Sequence, residues 1–169
     1  MIRQMTRVPL RRLFLLGAAT ALAAVGAASA ARAADPCALV TAAEVSAAIG
    51  GPLSDFKIPV GPEKNGGSGC IYYAASGSMR VSVGSELFGS AAAARKELAK
   101  RLSGDKTAVR VSGIGDDAIE AHLATSPSVV MQAVQGVRIL SIAIVGKGAT
   151  EIPDQQLRAL VTQALSRPP

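Results

Sequence analysis

Residues 129–146 read "VVMQAVQGVRILSIAIVG", two β-rich runs joined at Gln135-Gly136. In the second run Leu140, Ile142 and Ile144 fall on one side of an extended chain and Ser141 and Ala143 on the other. This predicts a central strand whose two faces are both at least partly covered. A helical pattern follows from near Pro153, a good first-turn residue. There Leu157, Leu160, Val161, Ala164 and Leu165 recur at i, i+3, i+4, i+7 and i+8, so one broad face has to be buried. A hairpin that feeds such a helix belongs to an antiparallel sheet packed against helices.

Working outward, the same order occurs earlier in the chain. "GCIYYA" and "MRVSVG" are short β-rich runs separated by Ala75-Ser76-Gly77-Ser78, and a helix follows from Ser90 through "AAAARKELAKRL". Ala91, Ala94, Leu98 and Leu102 form its narrow apolar stripe, with Arg95, Lys96, Lys100 and Arg101 on the solvated side. Two further runs, "TAVRVS" and "AIEAHL", read as strands between the hairpins. Upstream, "VTAAEV" marks a helix start. Thr41 is its N-cap, Glu44 completes a capping box, and Val40 and Val45 are placed as a hydrophobic staple. Gly50-Gly51-Pro52 stops it. The expected fold is α+β, with a weak internal repeat of hairpin then helix.

The N-terminal segment is of a different kind. "RRLFLLGAATALAAVGAASAARAADPC", from Arg11 to Cys37, follows Arg3 and Arg7 and has the basic, apolar and small-residue zones of an export signal. Cleavage is expected after Ala33, with Ala30 as second choice and an uncleaved anchor as the alternative. Arg11-Arg12-Leu13-Phe14-Leu15 also resembles a twin-arginine signal, so both that route and the general secretory route stay open. The division is then 1–33 export signal and 34–169 one α+β domain. Five of the 18 basic residues lie in 1–33 and all 12 acidic residues lie after it, leaving 13 against 12. A mature chain of net charge +1 gives no electrostatic reason for binding nucleic acid or a membrane surface.

The two cysteines are Cys37 and Cys70. Cys37 would not be the first mature residue, which argues against lipid attachment. No C-x-x-C is present, and an even count in an exported chain reads as a Cys37–Cys70 disulfide, with two free thiols as the alternative.

Taken together, "DPCALVTAAEVSAAIGGPL", "GCIYYA", "VSGIGDDA" and the closing hairpin plus helix resemble small exported domains of unknown function found among bacterial cell-envelope lipoproteins. That resemblance covers most of the chain after the leader. It implies an exported α+β domain with a disulfide and carries no activity with it. This chain departs from those lipoproteins in lacking a lipid-attachment cysteine.

Residues capable of chemistry are few. Gly113-Ile114-Gly115-Asp116-Asp117-Ala118 matches G-x-G-x-x-A, but two aspartates stand where pyrophosphate needs N–H groups and a short strand follows, so a turn is expected. His122 is the only histidine, and no G-x-S-x-G elbow accompanies it. Asp116, Asp117 and His122 are the candidate binding residues. Asp116, Asp117 and Glu120 lack calcium-loop spacing, and "GPEKNGGSG" (61–69) lacks the ending of a phosphate loop. With no tryptophan and few aromatics, stacking on sugars or bases is disfavoured. No catalytic residue, metal or cofactor is therefore expected. The expected function is a periplasmic or secreted, non-catalytic interaction domain, with loops 61–69 and 113–117 meeting a protein or envelope partner and no stable membrane insertion after cleavage. The alternatives are a carrier of a small apolar ligand between sheet and helices, suggested by Ala91 to Ala94, Ala143 and Ala164, and, more weakly, a small periplasmic hydrolase.

Overall fold

In a computed structural model of the chain, residues 36–60, 68–123 and 126–167 are described. The leader with Arg11, Arg12 and the cleavage position Ala33, and the loop 61–67, lie outside the described residues. No described helix is long and apolar enough to cross a membrane.

A short turn of helix α1 (Pro36–Leu39) leads into α2 (Ala42–Ile49). Thr41 accepts from the Glu44 backbone N–H, and the Glu44 side chain accepts from Thr41 N at 2.7 Å, so the capping box forms. Gly50, at φ 68°, closes the helix in the left-handed conformation. Strands β1 (Leu53–Val60), β2 (Ser68–Ala74) and β3 (Met79–Leu87) precede α3 (Ala91–Gly104). Then come β4 (Val109–Val111), β5 (Asp117–His122), β6 (Ser128–Gln135) and β7 (Arg138–Gly146), followed by a 3-10 turn (Ala149–Glu151) and α4 (Asp154–Ser166).

The seven strands form one sheet in the order β1-β2-β3-β7-β6-β5-β4, and every pairing is antiparallel. The α+β expectation and the central place of β7 are both seen. Strand β1 has no counterpart in the sequence reading. It carries Pro59 and lies at the sheet edge, where a missing N–H leaves no ladder bond broken on the open side.

The two faces of the sheet are covered differently. Leu157, Leu160, Val161, Ala164 and Leu165 of α4 pack with α1 and α2 on the face bearing Ala118, Met131, Ala133, Leu140, Ile142, Ile144, Val81 and Val83. Ala94 and Leu98 of α3 pack on Ile119, Val134 and Ile139. These last three are chain neighbours of Ala118, Ala133 and Leu140, so alternation along the strands places α3 on the opposite face. Hairpin followed by helix thus occurs twice in order, while the two helices cover opposite faces.

Cys37 and Cys70 are disulfide-bonded, with Cα atoms 5.2 Å apart. The bond ties α1 to β2 beside Tyr72, which is buried and donates its hydroxyl to Val40 O at 2.9 Å. Arg101, expected in solvent, is half-buried. Its Nη2 donates to both Glu86 oxygens at 2.9 Å and its Nε to Glu97 at 3.2 Å, pinning α3 to the end of β3. Burial is the largest single influence and opposes the guanidinium charge, but the bonds and charges of Glu86 and then Glu97 together outweigh it and raise the pKa.

Candidate functional site

The structure distributes the three residues singled out in the sequence instead of assembling them. The turn before β5 is set by Gly115, at φ 55°, where a Cβ would stand 2.3 Å from Val134 O. This close approach lets Asp116 N donate to Val134 O at 2.7 Å. The Asp116 carboxylate in turn accepts from Gly136 N at 2.8 Å and lies 3.7 Å from Arg95. Asp117 pairs with Arg110 across the β4–β5 hairpin at 2.5 Å. Both glycines of the G-x-G-x-x-A stretch thus serve a turn that a strand continues. His122 is exposed at the end of β5 and lies five residues from Asp117, so its side chain is on the other face. Its Nε2 is 3.2 Å from Glu120 Oε1.

Among the described residues, one concave region is on the face that α3 covers only in part. Cross-strand register aligns Ile58, Ile71, Ser82, Ala143, Val130 and Ala121 in one row over six strands. With adjacent strands about 4.8 Å apart the row is roughly 24 Å long. Its first five members are half-buried and none belongs to either packed cluster.

Two depressions lie along this face. One, of about 340 Å³, has a floor of Gly69, Ser82, Gly84, Ser141 and Ala143 and is flanked by Val60 and Glu86. The other, of about 370 Å³, lies between the C-terminal end of α3 and Ile119, Ala121 and Val130. Both are at the lower end of volumes that hold small molecules. The depth of the first comes from residue size, since a Cβ at Gly84 would meet only Ser68 O at 3.9 Å and Ser141 Cβ at 4.0 Å. Its polar features are the Ser141 hydroxyl, which accepts from Gln132 Nε2 at 3.1 Å, and the Glu86–Arg101 pair.

Of the alanines that suggested a gap between sheet and helices, Ala94 and Ala164 are fully packed, and Ala143 lines the trough. The sequence signal for the rest of the site was glycine and serine at alternate positions of predicted strands: Gly69, Ser82, Gly84 and Ser141. Their meaning depended on pairing register, which brings residues far apart in sequence onto one row.

No family model and no curated protein matches this chain, so the comparisons do not connect it to the envelope lipoprotein domains it resembles. Among solved structures it is similar to the extracellular domain of PknH from Mycobacterium tuberculosis, with a TM-score of 0.47 and 12% identity over 77% of this chain and 94% of that one.

Proposed function

We propose that this protein is an exported, non-catalytic binding domain that holds a small, mostly apolar molecule in the trough beside α3. The carrying observation is the row from Ile58 to Val130, apolar apart from Ser82, half-exposed and flanked by depressions of ligand size. A floor of glycine, serine and alanine lets a ligand approach the sheet backbone, while Ser82, Ser141 and Glu86 offer a few polar anchors, the usual balance of a small-molecule site. The disulfide supports export, since such bonds persist in oxidising compartments, and it agrees with the leader composition. Asp116 and Asp117 are already engaged within the domain, which leaves the acidic turn a weaker surface for a partner than the sequence alone suggested.

The test uses protein recovered from the exported fraction of its host and the fluorescent dye 1-anilinonaphthalene-8-sulfonate. Saturable dye binding that Ala143→Phe weakens at least about tenfold, with the melting temperature held near wild type, supports the trough. The factor is what about 1.4 kcal/mol of lost apolar contact gives. Dye binding unchanged in Ala143→Phe and in Gly84→Val would refute it.

A further inference from the structure

A second site is formed on the opposite face of the sheet, where β5 meets the start of α4. Alternation along β5 places Glu120 and His122 on the same face, with Glu120 Oε1 and His122 Nε2 3.2 Å apart. Asp154, in the first turn of α4, brings a third donor, and the three donor atoms all lie within 4.8 Å of one another. The set is imidazole and two carboxylates from two elements.

Glu120 supplies an independent reason to expect a ligand. It is the one buried carboxylate among the described residues, at 3% exposure. Its Oε2 is buried without a hydrogen bond. The Arg158 guanidinium lies 3.7 Å from that oxygen, within reach for charge attraction but beyond hydrogen-bonding distance. A buried carboxylate oxygen in this condition is costly, and native structures rarely keep one without a reason.

We infer that Glu120, His122 and Asp154 form a binding site for one divalent transition-metal cation of the zinc type, with the fourth position open to solvent. Imidazole nitrogen with carboxylate oxygen is a donor set that zinc accepts, and three protein ligands leave one position for water. Two carboxylates and a neutral imidazole carry a charge of −2, which balances the ion. Donors on one tetrahedral zinc stand about 3.4 Å apart, so the Glu120–His122 pair already has the spacing. Asp154, exposed in the first turn of α4, keeps its carboxylate within 4.8 Å of both other donors. Coordination by both Glu120 oxygens would give Oε2 the partner it lacks, with the Arg158 guanidinium, 3.7 Å from that oxygen, as an outer charge that orients the carboxylate. The bound ion joins β5 to α4 on the face away from the trough, so this site and the apolar ligand reading stand or fall separately.

The test titrates zinc chloride into tag-free exported protein that has been stripped with a chelator, by calorimetry and by nitrogen-15 NMR of the imidazole. Because His122 is the only histidine in the sequence, its Nε2 resonance reports the site without assignment ambiguity. The expected result is saturable uptake of one zinc per chain with a large shift of that resonance. His122→Ala and Asp154→Asn should each weaken uptake at least about tenfold, the least that loss of a direct ligand costs when outer-partner changes already cost 10–100-fold. Asp116→Asn, remote from the site, should leave it unchanged. His122 and Asp154 are both exposed, and apo melting temperatures equal to wild type show that the variants fold. Absence of saturable uptake, or uptake that persists in both variants with the His122 resonance unmoved, would overturn the assignment.

Discussion

Replacing Glu44 with glutamine should remove one ion pair while leaving the helix cap in place, and the consequence should depend on pH in a defined way. Glu44 completes the capping box of α2, where glutamine serves as well. Its carboxylate also receives both guanidinium nitrogens of Arg167, at the end of α4, with Nη1 to Oε2 at 2.9 Å. Arg167 donates to Leu39 O as well, so one side chain joins α1, α2 and α4. The hydrogen bond from Arg167 lowers the Glu44 pKa most; partial burial opposes it and the Thr41 bonds assist, and the result is about 2 against 4.5 for the free group. At 1.36 kcal/mol per unit the full shift corresponds to a ceiling of about 3 kcal/mol. The two side chains are 23% and 32% exposed, so solvent screening reduces the expected contribution to about 1–2 kcal/mol.

A depressed carboxylate pKa contributes stability that is complete above the unfolded value and is lost as pH falls toward the folded one. Urea unfolding should therefore show Glu44→Gln less stable than wild type by about 1–2 kcal/mol at neutral pH. The gap should narrow below about pH 4.5 and close near about pH 2. Arg167→Gln should lose at least as much, because its bond to Leu39 O goes as well, and adding Glu44→Gln to it should cost little more. A gap that stays constant down to low pH, or two single losses that sum in the double variant, would show that the ion pair is not the source.

Two further predictions concern the frame. Replacing Cys37 and Cys70 together with alanine opens a loop spanning a sequence separation of 33. Chain entropy then predicts a loss of about 3–4 kcal/mol, read as a lower urea midpoint for the variant. Gly115→Ala places a Cβ 2.3 Å from Val134 O at a φ of 55° and should cost more than about 2 kcal/mol. Gly77→Asn, at φ 68° with nothing within 4 Å, should change the melting free energy by less than about 0.5 kcal/mol. Equal effects of the two would mean that φ alone, and not the approach to β6, governs the turn.

What could be read from the sequence was what depends on near neighbours in the chain. The Thr41–Glu44 cap, the stop at Gly50, the apolar face of α4 and the alternation in β7 all involve residues within a few positions of each other, and all are seen. Contacts fixed by tertiary geometry were not legible. Arg138 sits at the start of an apolar strand and looks like a solvated charge in the pattern, yet it is 4% exposed and donates to Leu165 O at 3.0 Å and to Arg167 O at 3.3 Å. There it satisfies carbonyls at the C-terminal end of α4, which the helix itself leaves without partners. Burial pushes its pKa down, so the carbonyls and not a carboxylate hold the charge in place. The same reason hid Glu120, whose burial follows from α4 approaching β5.

The trough has its origin in unequal helix coverage. The face bearing Leu140, Ile142 and Ile144 is met by α1, α2 and α4, and its strand residues are correspondingly large. Among the described residues the helix that packs on the other face is α3, whose buried residues are Ala94 and Leu98. A stripe that narrow packs on Ile119, Val134 and Ile139, with Phe88 and Leu102 at its margin. Where coverage stops, the strands carry Gly69, Ser82, Gly84, Ser141 and Ala143, residues with little apolar area to lose to water. Small residues there lower the floor, and Ile58, Ile71 and Val130 remain along the same row as apolar area that folding has not fully buried. At about 25 cal/mol per Å² of apolar surface, covering that row would stabilise this face, which is the gain the proposed ligand beside α3 would bring.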